Sequence, residues 1–275
     1  MSRRYEERFK QLKKAGEKAF IPFTVLGWPS RDESFKMIKQ MIDSNVSAIE
    51  LGIAFSDPVA DGPVIQRAAY ETIASGFSVT DAFELIKEVR KLSASIPIGL
   101  LVYFNTVLAK GIDAFFSLAK SAGVDGVLVA DLPAENANEV LPAAQANDID
   151  LIFIVSPVTT PARLDAILSH ASGFLYLVSR LGVTGTTERS SERDAALRIL
   201  VENIRQQKSI PVCAGFGIST VNDAQSMFDI GVDGVISGSR VIQIVQSAKD
   251  RSGDQLCEYY REMVTVGQKS IGSRA

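Results

Sequence analysis

Eight apolar runs of strand length, separated by stretches of helical periodicity, predict an α/β fold: a single (β/α)8 TIM barrel with an extra N-terminal helix and additional helices. Three observations lead there. Several of the strand-like runs are continuously apolar rather than alternating, as a parallel sheet covered on both faces requires. The eight βα repeats fit into roughly 250 residues, the usual size of a closed barrel. No Gly-x-Gly-x-x-Gly pattern follows the first strand, where an open dinucleotide-binding sheet would carry one.

Taken in order, residues 4–18 read as a helix with Phe9 and Leu12 on one side, ahead of a first strand over 19–27. Ser30 with Glu33 three residues later has the capping-box spacing, and Phe35, Ile38, Met41 and Ile42 follow at helical intervals as far as Ser44-Asn45. Residues 48–53 form the second strand. Pro63 opens a helix to about residue 75, and Ser78 with Asp81 caps another whose apolar face carries Phe83, Ile86 and Val89. The alternation then continues as strand 98–103, helix 112–122, strand 126–130, helix 135–147, strand 151–156 and a short helix opened by Thr160-Pro161. Strand 174–179, a Gly/Thr-rich loop over 181–190, helix 193–206, strand 211–216, helix 220–230, strand 234–237 and helices to about residue 266 complete it. One domain is expected over 1–275, with the barrel proper at about 19–250 and a frayed tail over 267–275. Gly123-Val124-Asp125-Gly126-Val127 recurs as Gly231-Val232-Asp233-Gly234-Val235, by convergent turn chemistry or by duplication of a half-barrel.

Composition narrows the function classes. With 46% apolar and 22% charged residues the chain can bury a sizeable core, and a net charge of −3 without basic runs argues against a nucleic-acid surface. No apolar run approaches the roughly 20 residues of a membrane helix, and the N-terminus lacks a signal-peptide stretch, so a cytoplasmic protein is expected. Cys213 and Cys257 are far apart and read as reduced thiols.

Barrel chemistry sits at the C-terminal ends of the strands and in the loops that follow. Glu50 lies there inside an apolar run, where an ionised side chain is costly, so desolvation should raise its pKa and fit it for proton transfer. A buried, hydrogen-bonded structural Glu is the alternative. The loop after it carries Asp57 and Asp61, either of which could simply cap the helix at Pro63. Gly215-Phe216-Gly217-Ile218-Ser219 and Gly238-Ser239 each end a strand and open a helix, and the loop over 181–190 adds Gly182 and Gly185. Glycines at helix N-termini suit a phosphate, although any one of them alone is better read as a tight-turn residue, and it is the convergence of three loops on one rim that favours the phosphate. The single histidine, His170, sits at a helix end, and no strand carries a lysine, which sets aside imidazole triads, zinc sites and Schiff-base chemistry. No metal site is expected.

The run Ile49-Glu50-Leu51-Gly52, followed by Phe55-Ser56-Asp57-Pro58-Val59-Ala60-Asp61-Gly62-Pro63-Val64-Ile65-Gln66, resembles the signature of the tryptophan synthase alpha subunit. The likeness continues through Val129-Ala130-Asp131-Leu132-Pro133, Gly182-Val183-Thr184-Gly185 and Gly215-Phe216-Gly217-Ile218-Ser219, and covers about residues 5–265. It implies a lyase that cleaves indole-3-glycerol phosphate to indole and glyceraldehyde 3-phosphate with no cofactor on this chain. Glu50 and Asp61 match the family's catalytic acids, and Tyr176 and Thr184 match residues that support them. Gly185, Gly217, Gly238 and Ser239 match the phosphate cradle, and Phe23, Ile65, Leu101, Tyr103, Ala130, Ile154 and Phe216 the indole pocket. The resemblance further implies a beta subunit holding pyridoxal phosphate, in an α2β2 assembly, faced by Asp57, Pro58, Asn105, Asp131 and Pro133. Trp28-Pro29, Ala54, Phe104 and Thr106 depart from the family pattern without touching Glu50 or Asp61. Two other readings use the same features: an activator subunit that binds the phosphoester but turns it over weakly, and a different phosphate-binding barrel isomerase.

Overall fold

The structure, a computed structural model, describes residues 3–179, 191–248 and 253–269. Its strands are β1 (Ala19–Val25), β2 (Ile49–Gly52), β3 (Ile98–Val102), β4 (Gly126–Val129), β5 (Asp150–Leu151), β6 (Phe153–Val155), β7 (Leu175–Val178), β8 (Val212–Gly215) and β9 (Gly234–Ser237). They pair in parallel in the order β5-β4-β3-β2-β1-β9-β8-β7-β6. β5 pairs with β4 and β6 pairs with β7, while Ile152 between them donates its N–H to the Val127 carbonyl at 3.0 Å. Residues 150–155 are therefore one barrel strand bridging two neighbours, and the nine segments form the eight strands of a nearly closed TIM barrel.

The helices are α1 (Arg3–Ala15), α2 (Arg31–Asp43), α3 (Pro63–Ala74), α4 (Val79–Leu92), α5 (Phe104–Lys110), α6 (Ile112–Ala122), α7 (Leu141–Ala146), α8 (Pro161–His170), α9 (Ser191–Gln207), α10 (Val221–Ile230), α11 (Ser239–Ser247) and α12 (Asp254–Lys269). Their starts follow local chemistry. Ser30 accepts from the Glu33 N–H, and Ser78 with Asp81 forms a reciprocal capping box. Three stretches differ from expectation. Residues 104–110, marked by no helical period, form the short α5, which ends at Gly111 where φ is +85°. The helix expected over 135–147 is broken into a 3-10 turn (Ala134–Glu139) and α7, because Pro142 lacks the N–H that would continue the first helix and suits the opening turn of the second. The start of the expected tail is helical instead: α12 runs on to Lys269, and its Gly267 carbonyl accepts the Lys18 N–H at 3.0 Å beside β1. A Cβ on Gly267 would lie 2.5 Å from the Lys18 carbonyl, so this contact needs glycine. Residues 270–275 of that tail lie outside the described residues.

The repeated Gly-Val-Asp-Gly-Val motif performs one task twice. Gly123 (φ +88°) and Gly231 (φ +112°) end α6 and α10 in the left-handed conformation. Asp125 accepts the Ile98 N–H at the start of β3 and pairs with Arg90, which also donates to the Gly123 carbonyl. Asp233 accepts the Val212 N–H at the start of β8 and pairs with Arg205, which donates to the Gly231 carbonyl. The two knots lie four barrel strands apart and hold the lower ends of the strands. Below them α1 covers the barrel floor, with Tyr5 packed on Phe174 (ring centroids 5.5 Å apart) and its hydroxyl reaching the backbone of Gly99. Functional groups are left to the opposite, C-terminal rim.

Candidate active site

At that rim the inward faces of the strands surround a cavity of about 710 Å³. Its lining follows the period of two expected along each strand, with Leu128 and Ala130, Tyr176 and Val178, and Ile236 and Gly238 as pairs two residues apart. Phe23, Leu101, Ile154, Ile65 and Phe216 complete an apolar wall, into which Glu50 and Asp61 project.

Burial separates the two acids. Glu50 is 3% exposed on β2, in register with Phe23 and Gly99, and desolvation, then the nearby Asp61, pushes its carboxyl from 4.5 up to about 8. Asp61 is 9% exposed in the loop leading to α3, and burial raises it from 3.8 to about 6 against the opposing hydrogen bond from Tyr103. Near neutral pH one carboxyl therefore carries a proton while the other is mostly anionic. Two groups of one chemical type thus take opposite roles by environment alone.

Tyr103 is not in the cavity wall. Its hydroxyl donates to Asp61 Oδ2 at 2.9 Å and accepts the Ala60 N–H at 3.1 Å, and its ring stacks on Phe55 at 5.1 Å. Because Ala60 supplies the only proton in that bond, the phenol proton is committed to Asp61. Tyr176 does line the cavity, with its hydroxyl so close to β8 that a Cβ on Gly215 would sit 2.0 Å from it. Gly215 is the space in which that phenol fits. Burial raises Tyr176 well above the usual phenol value, so it stays protonated.

The two glycine-bearing helix starts differ. α10 caps itself: Thr220 and Asp223 form a capping box, and Asp223 also accepts the Ser219 N–H, which puts a carboxylate where an anion would have to sit. α11 has Gly238 as its N-cap, no side-chain cap and no acid in its first turn, and Gly238 and Ser239 line the cavity. Of the two, α11 is the end suited to hold an anion. Gly217 lines the same cavity, where Phe216 (φ +69°) and Gly217 (φ +76°) take the left-handed conformation in succession. For Phe216 this is a strained backbone of the kind concentrated at binding sites.

Thr184 and Gly185 lie outside the described residues. Asp57, Asn105, Asp131 and Pro133 are exposed and Pro58 is half-buried on the rim beside the cavity, and Asp131 Oδ1 accepts the Phe104 N–H that opens α5. Sequence reading gave no site role to Val64 and Gln243, which also line the cavity. Gln243 had a readable signal, since it lies one helical turn after Ser239 on α11. Among the described residues no group of three or more His, Cys, Asp or Glu side chains could hold a metal ion.

Residues 9–269 match the family model described as tryptophan synthase alpha chain. The chain belongs to the tryptophan synthase alpha chain family. The tryptophan synthase alpha chain of Methanothermobacter thermautotrophicus is 43% identical to it over 241 residues, 88% of this chain and 87% of that one. The alpha chain of Enterobacter sp. (strain 638) is 40% identical over 263 residues, 96% of each chain. Among solved structures, Mycobacterium tuberculosis tryptophan synthase superposes with a TM-score of 0.87 at 29% identity, covering 98% of this chain and 99% of that one. A mutant alpha-subunit from Pyrococcus furiosus does so with a TM-score of 0.79 at 33% identity, over 90% of this chain and 98% of that one.

Proposed function

We propose that this alpha chain cleaves indole-3-glycerol phosphate to indole and glyceraldehyde 3-phosphate in the cavity described above, by carboxylate acid–base catalysis. The observation that carries the reading is the separation of Glu50 and Asp61, one protonated and one anionic, in an apolar chamber beside the uncapped start of α11. The bond that breaks joins indole C3 to a hydroxyl-bearing carbon. Glu50 gives its proton to C3, which places positive charge on the indole nitrogen, and Asp61 balances that charge at the N–H. The resulting Glu50 carboxylate takes the proton from the glycerol hydroxyl as the carbon–carbon bond breaks. Its electrons return to the ring, the aldehyde forms, and Glu50 ends protonated as it began. Tyr176 supports the pair within the wall, Thr184 acts on Asp61, and Gly185, Gly217, Gly238 and Ser239 hold the phosphate.

The chain works with a beta chain to which indole passes. We assign the assembly as α2β2, with pyridoxal phosphate on the beta chain, no cofactor on this one, and a cytoplasmic setting. Asp57, Pro58, Asn105, Asp131 and Pro133 form the partner-facing rim. One assay tests the reaction: indole release from indole-3-glycerol phosphate by wild type and Glu50→Gln, with and without a beta chain. Glu50→Gln should lose at least about 10²-fold, the low end for general acid–base catalysis. No release by wild type with its partner, or a near wild-type rate in the variant, overturns the reading.

A further inference from the structure

Ser237 ends β9 immediately before Gly238 and Ser239, and its hydroxyl is fully buried between two oxygens. It lies 2.8 Å from the Ile218 carbonyl and 2.7 Å from the Tyr259 hydroxyl. A carbonyl only accepts, so the Ser237 proton goes to Ile218, and Tyr259 must donate to Ser237. The result is a directed relay from α12, through β9, to the turn between β8 and α10. Tyr259 is suited to the end of it: burial pushes its phenol up to about 12, and its ring is braced edge-on against Phe20 on β1 at 6.1 Å.

The relay acts on the turn that faces the anion-binding end of the cavity. Ser179 pins the other side of this turn, its one hydroxyl proton shared between the carbonyls of Gly215 at 3.0 Å and Phe216 at 2.7 Å. In a trans peptide the C=O and N–H point in opposite directions. Holding the Phe216 carbonyl toward Ser179 therefore turns the Gly217 N–H away from it. The Ile218–Ser219 peptide is held at both ends, its carbonyl by Ser237 and its N–H by Asp223. Gly217 lines the cavity together with its neighbours Phe216, Ile218 and Ser219, and its orientation is set by two hydroxyls, of Ser179 and Ser237, that do not.

We propose that the Tyr259–Ser237 relay is a positioning device for phosphate recognition, holding the turn around Gly217 in its phosphate-binding orientation from a helix on the outside of the barrel. This rests on the functional reading above and deepens it by naming how the phosphate end is built. Tyr259→Phe keeps the ring and removes only the hydroxyl that donates to Ser237. The test compares binding of indole-3-propanol and of its phosphate ester, together with KM and kcat for indole release from indole-3-glycerol phosphate in the presence of a beta chain. Tyr259→Phe should weaken the phosphate ester and raise KM about 3- to 10-fold, the range of one hydrogen bond, with the unphosphorylated alcohol bound as by wild type and kcat within about twofold. Ser237→Ala should do the same, and because the two groups act in series, adding Tyr259→Phe to it should bring little further loss. Equal weakening of both ligands, no change in either, or additive losses in the double variant would overturn the relay. If wild type itself binds the ester no more tightly than the alcohol, it is the underlying phosphate reading that fails.

Discussion

Glu50→Gln should make the protein more stable, and by an amount that grows with pH. The folded chain holds the Glu50 carboxyl at about 8 against an ordinary 4.5, so folding raises its affinity for a proton. In acid, both folded and unfolded chains are protonated there and the group contributes no penalty. As pH rises through 4.5 the unfolded chain releases its proton while the folded chain keeps it, and stability falls by about 1.4 kcal/mol per pH unit until the folded group itself ionises near 8. At about pH 7 the accumulated penalty is about 2.5 units, or ~3 kcal/mol. Glutamine has the same shape and does not titrate. The variant should therefore gain ~3 kcal/mol relative to wild type at about pH 7, and less than ~1 kcal/mol near pH 5, where the two states have hardly diverged. In thermal unfolding this is a shift of roughly 5–10 °C at neutral pH. Any fixed cost of seating the amide offsets all points equally, so the slope is the diagnostic quantity. Urea unfolding of both proteins followed by circular dichroism, from about pH 5 to about pH 8, measures it. A stability difference that stays flat or shrinks with rising pH would refute the claim that Glu50 is held protonated by burial.

Three further outcomes follow from the same geometry. The kcat/KM profile for indole release should rise with an apparent pKa near that of Asp61, about 6, and fall near that of Glu50, about 8; a profile flat across this interval contradicts the division of roles. Tyr103→Phe removes the donor that favours the Asp61 anion, so the rising limb should move up by about one pH unit, in keeping with a hydrogen bond to a charged group; an unmoved limb would mean that Tyr103 does not hold the charge. Gly215→Ala places a methyl 2.0 Å from the Tyr176 hydroxyl and should cost about 1–3 kcal/mol of stability by overpacking, with reduced activity as the phenol is displaced; wild-type urea unfolding in this variant would show that the fit is loose.

The barrel was legible because a continuously apolar strand and a capped helix leave strong local patterns, and eight repeats of them admit few arrangements. What escaped was decided by where those patterns stop. The resemblance puts Tyr103 with Leu101 in the indole pocket; the strand pairing ends at Val102, the chain turns into α5, and the ring settles beside Phe55 instead. α5 has seven residues, too few for a period to show, and the break in the helix expected over 135–147 is marked in the sequence by Pro142 alone. The choice between the two glycine-bearing helix starts was available and went unused. Thr220 with Asp223 is a capping box in plain sequence, and it marks α10 as already satisfied.

The acids themselves show why residue type alone cannot assign roles. Glu50 and Asp61 are separated by a short loop, share one chamber, and both gain pKa from burial. They differ in what supports them. Glu50 is carried by a strand whose backbone groups are engaged in the sheet, so burial and the neighbouring negative charge both act to keep its proton. Asp61 lies on a loop, within reach of one phenol that is itself oriented by the Ala60 N–H, and that donor restrains the same desolvation. A strand position next to a loop position with a hydroxyl donor is enough to set the two values about two units apart, on either side of neutrality. The proton donor and the anion are thus a consequence of which acid the barrel holds rigidly among apolar side chains and which it leaves where a hydrogen bond can reach it.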